Sequence, residues 1–252
     1  MLKVKLYSYY TPALRNNVKY LLKCKCSSST SKKWDRTQYF TGWLEKAALY
    51  VHWPYCEKRC SYCNFNKYIS NHVNHARMCE CLVKEATTLL RLSGIKTVET
   101  IFFGGGTPSL AQPHTIESVI NCVKNLVAVP HDAEVTLECN PTTLEAQRLR
   151  EFKLAGVNRV SIGIQALNDR DLLLLGRNHS VKEALRVIEQ AKNIYNGRTS
   201  IDIIFGRPYQ SQYSWQDELK KLLEICDDHI SLYQLTLERG TSLFKLVNCG
   251  KL

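Results

Sequence analysis

Nowhere does the chain hold the run of about 20 apolar residues that a membrane-spanning helix needs, so a helical span is excluded. It also lacks acid at its start. Lys3, Lys5, Arg15, Lys19, Lys23, Lys25, Lys32, Lys33 and Arg36 precede or flank a single acid, Asp35. Much of the net charge of +11 sits there, and the remainder is only mildly basic. No basic stripe interleaved with aromatics follows, as a nucleic-acid face would need. A disulfide framework is missing too, because eleven cysteines is an odd count. Cys79, Cys122, Cys139 and Cys226 stand singly in apolar segments and read as small buried hydrophobes, which implies a reducing compartment.

What is there is the make-up of a globular protein. The 252 residues are 44% hydrophobic and 23% charged, ordinary for a soluble domain. They suit one large domain that buries a core without staples. Residues 1–40, basic and carrying Ser27–Ser29, Thr30 and Ser31, resemble an organelle transit peptide; the other reading is a disordered basic tail.

From residue 47 onward an alternation sets in. Ala48–Val51, Thr97–Phe103, Glu134–Cys139, Arg159–Ile164, Ser200–Phe205 and Ile230–Leu235 read as strands. Between them lie segments of helical spacing: Val73–Leu92, Ile116–Val127, a segment opened by the Thr142–Glu145 capping box and stopped at Gly156, another from Ser180 through Tyr195, and Trp215–Cys226. Six consecutive strand–helix units predict a parallel sheet. The fold class is α/β, a partial (β/α)6 barrel of TIM type that is two units short of closure.

The sharpest local signal is Cys56-Glu57-Lys58-Arg59-Cys60-Ser61-Tyr62-Cys63. Three thiols at i, i+4 and i+7 lie in a polar loop directly after the first strand, where they can wrap one metal centre. Thiolates suit iron–sulfur clusters or zinc. Structural zinc usually takes four protein ligands; His52 or His72 would have to supply the fourth. A second signal is Phe103-Gly104-Gly105-Gly106-Thr107-Pro108 after the second strand. It lacks the Gly-Lys-Ser/Thr ending of a phosphate-binding loop, and Ser109 stands where a dinucleotide fingerprint needs glycine. Glu138 and Gln165 close the third and fourth strands, Arg177 lies in the following loop, and Asp202 is within the fifth strand. Read singly, Arg177 would be a solvated loop cation and Asp202 a strand-start carboxylate.

The cysteine spacing after the first strand of a β/α barrel resembles the radical S-adenosylmethionine (SAM) signature. The resemblance implies that Cys56, Cys60 and Cys63 bind a [4Fe-4S] cluster whose open iron is chelated by SAM. Tyr62 stands where that family carries an aromatic before the last cysteine. Tyr50–Pro54, Gly104–Ser109, Ser161–Gln165, Leu175–Ser180 and Ser231–Leu235 resemble one subgroup, the oxygen-independent coproporphyrinogen III dehydrogenases (HemN) and the HemW heme chaperones, with the mitochondrial HemW-like branch the nearest. By matching position, Tyr50, Tyr62, Gly105, Gly106, Thr107, Glu138, Gln165, Arg177 and Asp202 would contact SAM; Tyr50 could instead be a buried strand aromatic and Thr107 a turn residue.

The dehydrogenases carry a further cysteine two residues past the third, and here that position is Phe65. The resemblance therefore favours a heme-binding, heme-delivering protein, with coproporphyrinogen III decarboxylation as the alternative. It implies heme as cargo, recipient hemoproteins and an electron donor as partners, and a mitochondrial location. Residues 47–252 are expected to form the radical SAM core. The HemW-type C-terminal domain is not in this sequence, so a fragment or a shortened isoform is expected.

Overall fold

The computed structural model describes residues 4–7, 45–70, 72–227 and 229–252. Val4–Tyr7 (β1) pairs antiparallel with Lys46–Trp53 (β2), whose buried residues include Leu49, Val51 and Trp53. A two-residue strand, Tyr55–Cys56 (β3), pairs with Tyr68–Ile69 (β4) and closes the base of the loop between them. His75–Ser93 (α1) starts where the Asn74 side chain accepts the Arg77 amide. It buries Met78, Leu82, Ala86 and Leu90, one residue per turn, and ends at Gly94 in the left-handed conformation.

Thr97–Gly105 (β5) is followed by Pro113–Leu126 (α2), which buries Ile116, Val119, Ile120 and Val123. Then come Glu134–Cys139 (β6), Thr143–Leu154 (α3) and Arg159–Gln165 (β7). After them run Asp169–Leu174 (α4), Val181–Tyr195 (α5), Thr199–Phe205 (β8), Gln212–Ile225 (α6), His229–Gln234 (β9) and Ser242–Asn248 (α7). The strand order is β1-β2-β5-β6-β7-β8-β9, with every pair after the first parallel. Six parallel strands thus curl into a half-barrel. The main core lies on the sheet, with Phe103, Leu137, Phe152, Ile162 and Ile201 among its buried members.

The strand expectations hold to within a few residues at each end. At α3 the capping box is half formed. Thr142 accepts the Glu145 amide, but the Glu145 carboxylate takes Ser109, Asn140 and the Thr142 hydroxyl rather than the Thr142 amide. The sequence pattern did not announce α4, α7 or β1. Cys139 is buried as expected, while Cys79, Cys122 and Cys226 are only half-buried. The transit-peptide reading falls, Val4–Tyr7 apart, outside the described residues. No helix among them is long and apolar enough to cross a membrane.

Candidate functional site

In a parallel barrel the strands' C-terminal ends converge, and the loops there carry the side chains that meet a ligand. The cysteine loop leaves β2 at this end. Its tip is tied to α4: the Ser61 amide donates to the Leu175 carbonyl at 3.0 Å and the Ser61 hydroxyl to the Leu174 carbonyl at 2.7 Å. The Leu243 amide, at the start of α7, donates back to the Ser61 carbonyl at 2.9 Å.

Each of the three sulfurs receives a donor from a different segment. Thr107 Oγ1 lies 3.4 Å from Cys56 Sγ, Arg177 Nη1 lies 3.3 Å from Cys60 Sγ, and Lys67 Nζ lies 2.6 Å from Cys63 Sγ. Burial pushes the Cys56 thiol up, partly offset by the Thr107 hydrogen bond and the Lys67 charge. Two cations and a hydroxyl thus face the three sulfurs.

The glycine turn packs directly on this loop. The Gly106 amide donates to the Trp53 carbonyl at 2.7 Å and the Thr107 amide to the Tyr55 carbonyl at 2.9 Å. Gly105 has φ +114°, and a Cβ there would sit 2.6 Å from the His52 ring. A Cβ on Gly106 would sit 2.7 Å from the Tyr55 carbonyl. The turn is therefore glycine for two reasons, dihedral and contact, and it fastens β5 to the cysteine loop.

Across the mouth stand the carboxylates. Glu138 Oε2 accepts the Gly105 amide at 3.2 Å. Burial, with the Asp202 charge adding to it, pushes the Glu138 carboxyl up to about 7 against the opposing pull of that amide. Asp202 accepts Ser161 Oγ at 2.9 Å and the Ser231 hydroxyl; burial raises it, and these hydrogen bonds and Arg159 work the other way. Gln165 ends β7 at φ +76°, beside a register shift between Gly163 and Gln165. A non-glycine residue at such φ is strained, and strain of this kind is concentrated at functional sites.

Arg177 is no solvated loop cation. Its Nη2 donates to Asn140 Oδ1 at 2.5 Å and to the Gly163 carbonyl at 2.9 Å, and its Nε is buried with no partner among the described residues. Asp202 is likewise mid-strand rather than at a strand start, opposite Gly163 on β7 and Ser231 on β9. The neighbouring His179 is buried, its Nε2 3.1 Å from the Ile164 carbonyl. Burial, helped by the Arg177 charge, lowers its imidazole to about 4, so it is neutral at physiological pH.

All of the predicted site residues except Tyr50 line a single cavity of about 330 Å³. Tyr50 is half-buried outside that lining, stacked on Phe102, with its hydroxyl 3.1 Å from His52 Nδ1. The other His52 nitrogen, Nε2, lies 2.8 Å from the Asn66 carbonyl. Both ring nitrogens are therefore engaged, and His52 is not poised as a fourth zinc ligand; His72 is exposed. Among the described residues no three His, Cys, Asp or Glu side chains gather where one metal ion would sit. Sequence reasoning missed Lys67 and Asn140, the partners of Cys63 and Arg177. Asn140 directly follows a barrel strand, which was a usable signal. Lys67 looked like any other lysine in a polar loop.

A family model described as "Radical SAM superfamily" matches residues 50–222. A mouse protein named "Radical S-adenosyl methionine domain-containing protein 1, mitochondrial" is 59% identical over 207 residues, 82% of this chain and 47% of its own length. The "Heme chaperone HemW" of Escherichia coli K12 is 35% identical over 199 residues, 79% of this chain and 53% of its own. A solved structure of coproporphyrinogen III oxidase (HemN) from Escherichia coli, titled a radical SAM enzyme, superposes with TM-score 0.68 at 26% identity. It covers 80% of this chain and 46% of that one. The chain spans about half the length of the relatives it matches.

Proposed function

Because the chain belongs to the radical SAM superfamily, we propose that Cys56, Cys60 and Cys63 hold a [4Fe-4S] cluster and that SAM occupies the adjoining cavity. The observation that carries the reading is the provision of one donor to each sulfur. A single zinc ion wants its ligands converging on one point at about 2.3 Å, whereas a cluster lets each thiolate bind its own iron.

Bound there, the reduced cluster would supply one electron, and SAM the carbon–sulfur bond that this electron breaks. The chain's own residues bind and orient. Arg177, hydrogen-bonded to Asn140 and Gly163, holds a cation where an anionic carboxylate end would be received. Glu138, held by the Gly105 amide, would accept hydrogens from an amino group, and Asp202 would accept hydroxyl hydrogens. Gln165 and Tyr62 border the same space. Hydrogen bonds from Lys67, Arg177 and Thr107 to sulfur stabilise added negative charge and so raise the potential of the centre.

Heme is the proposed cargo, handed to recipient hemoproteins, in line with the name of the Escherichia coli relative. Phe65, in the position that follows the last cysteine by two, is exposed at the cavity rim and offers no thiol. A mitochondrial location, as in the mouse relative's name, and an electron donor belong to the same proposal; a nucleic acid does not. The second reading, decarboxylation of coproporphyrinogen III, is favoured by the likeness to HemN.

The experiment is anaerobic reconstitution with iron and sulfide, then EPR of the dithionite-reduced protein with and without SAM, with Cys63→Ala as control. A signal that shifts with SAM and disappears in the variant is expected. A zinc-loaded protein with no cluster would overturn the reading. Heme titration and product analysis with coproporphyrinogen III, SAM and reductant then separate the two functions: heme binding without protoporphyrinogen supports the chaperone, and protoporphyrinogen supports the dehydrogenase.

A further inference from the structure

The barrel mouth has a small apolar core of its own, formed by Ala166, Leu172, Leu175 and Ile204, with Tyr62 of the cysteine loop packed against it. A buried ionic group caps it. Arg207, in the loop after β8, donates through Nε to Asp171 at 2.9 Å, through Nη2 to Glu218 at 2.5 Å and through Nη1 to the Ile204 carbonyl at 2.5 Å. The other oxygen of Glu218 accepts the Leu167 amide at 2.7 Å. Three of these contacts fall on the small core or on its chain neighbour: Asp171 precedes Leu172, Leu167 follows Ala166, and the carbonyl is that of Ile204.

This placement matters because α4 buries little of itself. Of its six residues only Leu172 is buried, and Leu173 is 79% exposed. A helix of this length is not stable by itself. Yet its C-terminal end carries the cofactor site. Leu174 and Leu175 receive Ser61, the Arg177 amide bonds the Leu172 carbonyl at 2.9 Å, and the Arg177 guanidinium reaches Cys60.

We propose that Arg207, acting through Asp171 and Glu218, is a positioning residue for the cofactor site: it ties α4 to the sheet so that Cys60 and Arg177 keep their relation. The inference rests on the reading of the three cysteines as cluster ligands. A buried ion group is no stabiliser by default, since well-packed apolar side chains often replace one without loss. The geometry supplies the reason for keeping it. One planar guanidinium bridges two carboxylates and a carbonyl on three different segments, which a lysine ammonium cannot reproduce.

Removing the charge altogether would strand the buried carboxylate of Glu218 and the half-buried one of Asp171, so the test uses Asp171→Asn and Arg207→Lys in the full chain. Amide hydrogen exchange is measured without cluster, and the SAM-induced EPR change is titrated after reconstitution. Exchange in 169–177 and 57–63 is expected to speed up about tenfold or more while β6 and β7 stay protected. The SAM concentration for half-maximal EPR change is expected to rise about tenfold, the scale of lost outer-shell support. Arg207→Lys falls between Asp171→Asn and the parent chain. Variants that melt earlier but keep the parent exchange pattern and SAM response overturn the proposal and leave the triad a plain stability element. A parent chain with no SAM-sensitive cluster overturns the cofactor reading instead, and the exchange data then decide the α4 tie alone.

Discussion

The guanidinium of Arg177 lies 3.3 Å from the sulfur of Cys60, a residue 117 positions earlier in the chain. The same side chain bridges Asn140 after β6 and the Gly163 carbonyl in β7. One cation thus joins the cysteine loop to two strand ends, and it is not a solvated surface arginine.

Arg177→Met should lower the midpoint potential of the reconstituted cluster. A charge-assisted hydrogen bond to the reduced state of roughly 1.5–3 kcal/mol corresponds to roughly 60–120 mV for a one-electron couple. Redox titration followed by EPR measures it. An unchanged potential would mean that the contact with Cys60 is incidental.

Glu138 predicts a pH dependence of stability. Its folded carboxyl is raised from 4.5 to about 7, so the fold favours the protonated form. That contribution is fully present below pH 4.5 and is lost as pH rises through 7. The shift is worth at most about 3 kcal/mol. Glu138→Gln, which cannot ionise, should melt about 5 °C higher than the parent at pH 8 and no higher at pH 4. Melting curves of cluster-free protein at the two pH values are sufficient.

Gly105→Ala should disable the site. A methyl group would meet the His52 ring at 2.6 Å on a backbone of φ +114°, and strain of this kind costs about 1–3 kcal/mol. The expected outcome is lower stability together with a lost SAM response. Gly94→Ala is the comparison: it shares a positive φ of +69° but has nothing within 4 Å, so it should strain the backbone and spare the SAM response.

Two residues of α3 test the orientation of that helix. Phe152 is fully buried and Leu154 is 86% exposed. Phe152→Ala should cost about 3–5 kcal/mol, and Leu154→Ala should stay within about 0.5 kcal/mol. Urea unfolding midpoints at constant slope give both values.

The six parallel strands were legible because each is a β-branched or aromatic run bounded by a helix of period 3.6, and both periods are written locally. The cysteine loop was legible for the same reason, with its three thiols inside eight residues. α4 was not, because Asp169–Leu174 is too short to show a period and buries only one of its three leucines. The Thr142–Glu145 signal was half right. The cap bond is local, but the burial of Glu145 against Ser109 and Asn140 depends on where α3 docks.

By itself the sequence determined the alternation of strand and helix, the positions where glycine is needed, and the placing of three thiols within eight residues. These follow from side-chain period, backbone sterics and spacing, all of which act within a few residues. Only the tertiary structure decided which cation faces which sulfur, why Glu138 holds its proton so high, and that Arg207 braces the helix on which the cysteine loop rests. Apart from Lys67, four residues from Cys63, those are encounters between segments far apart in the chain. They arise because parallel strands deliver all their C-terminal loops to one mouth, where burial sets the energy of every charge.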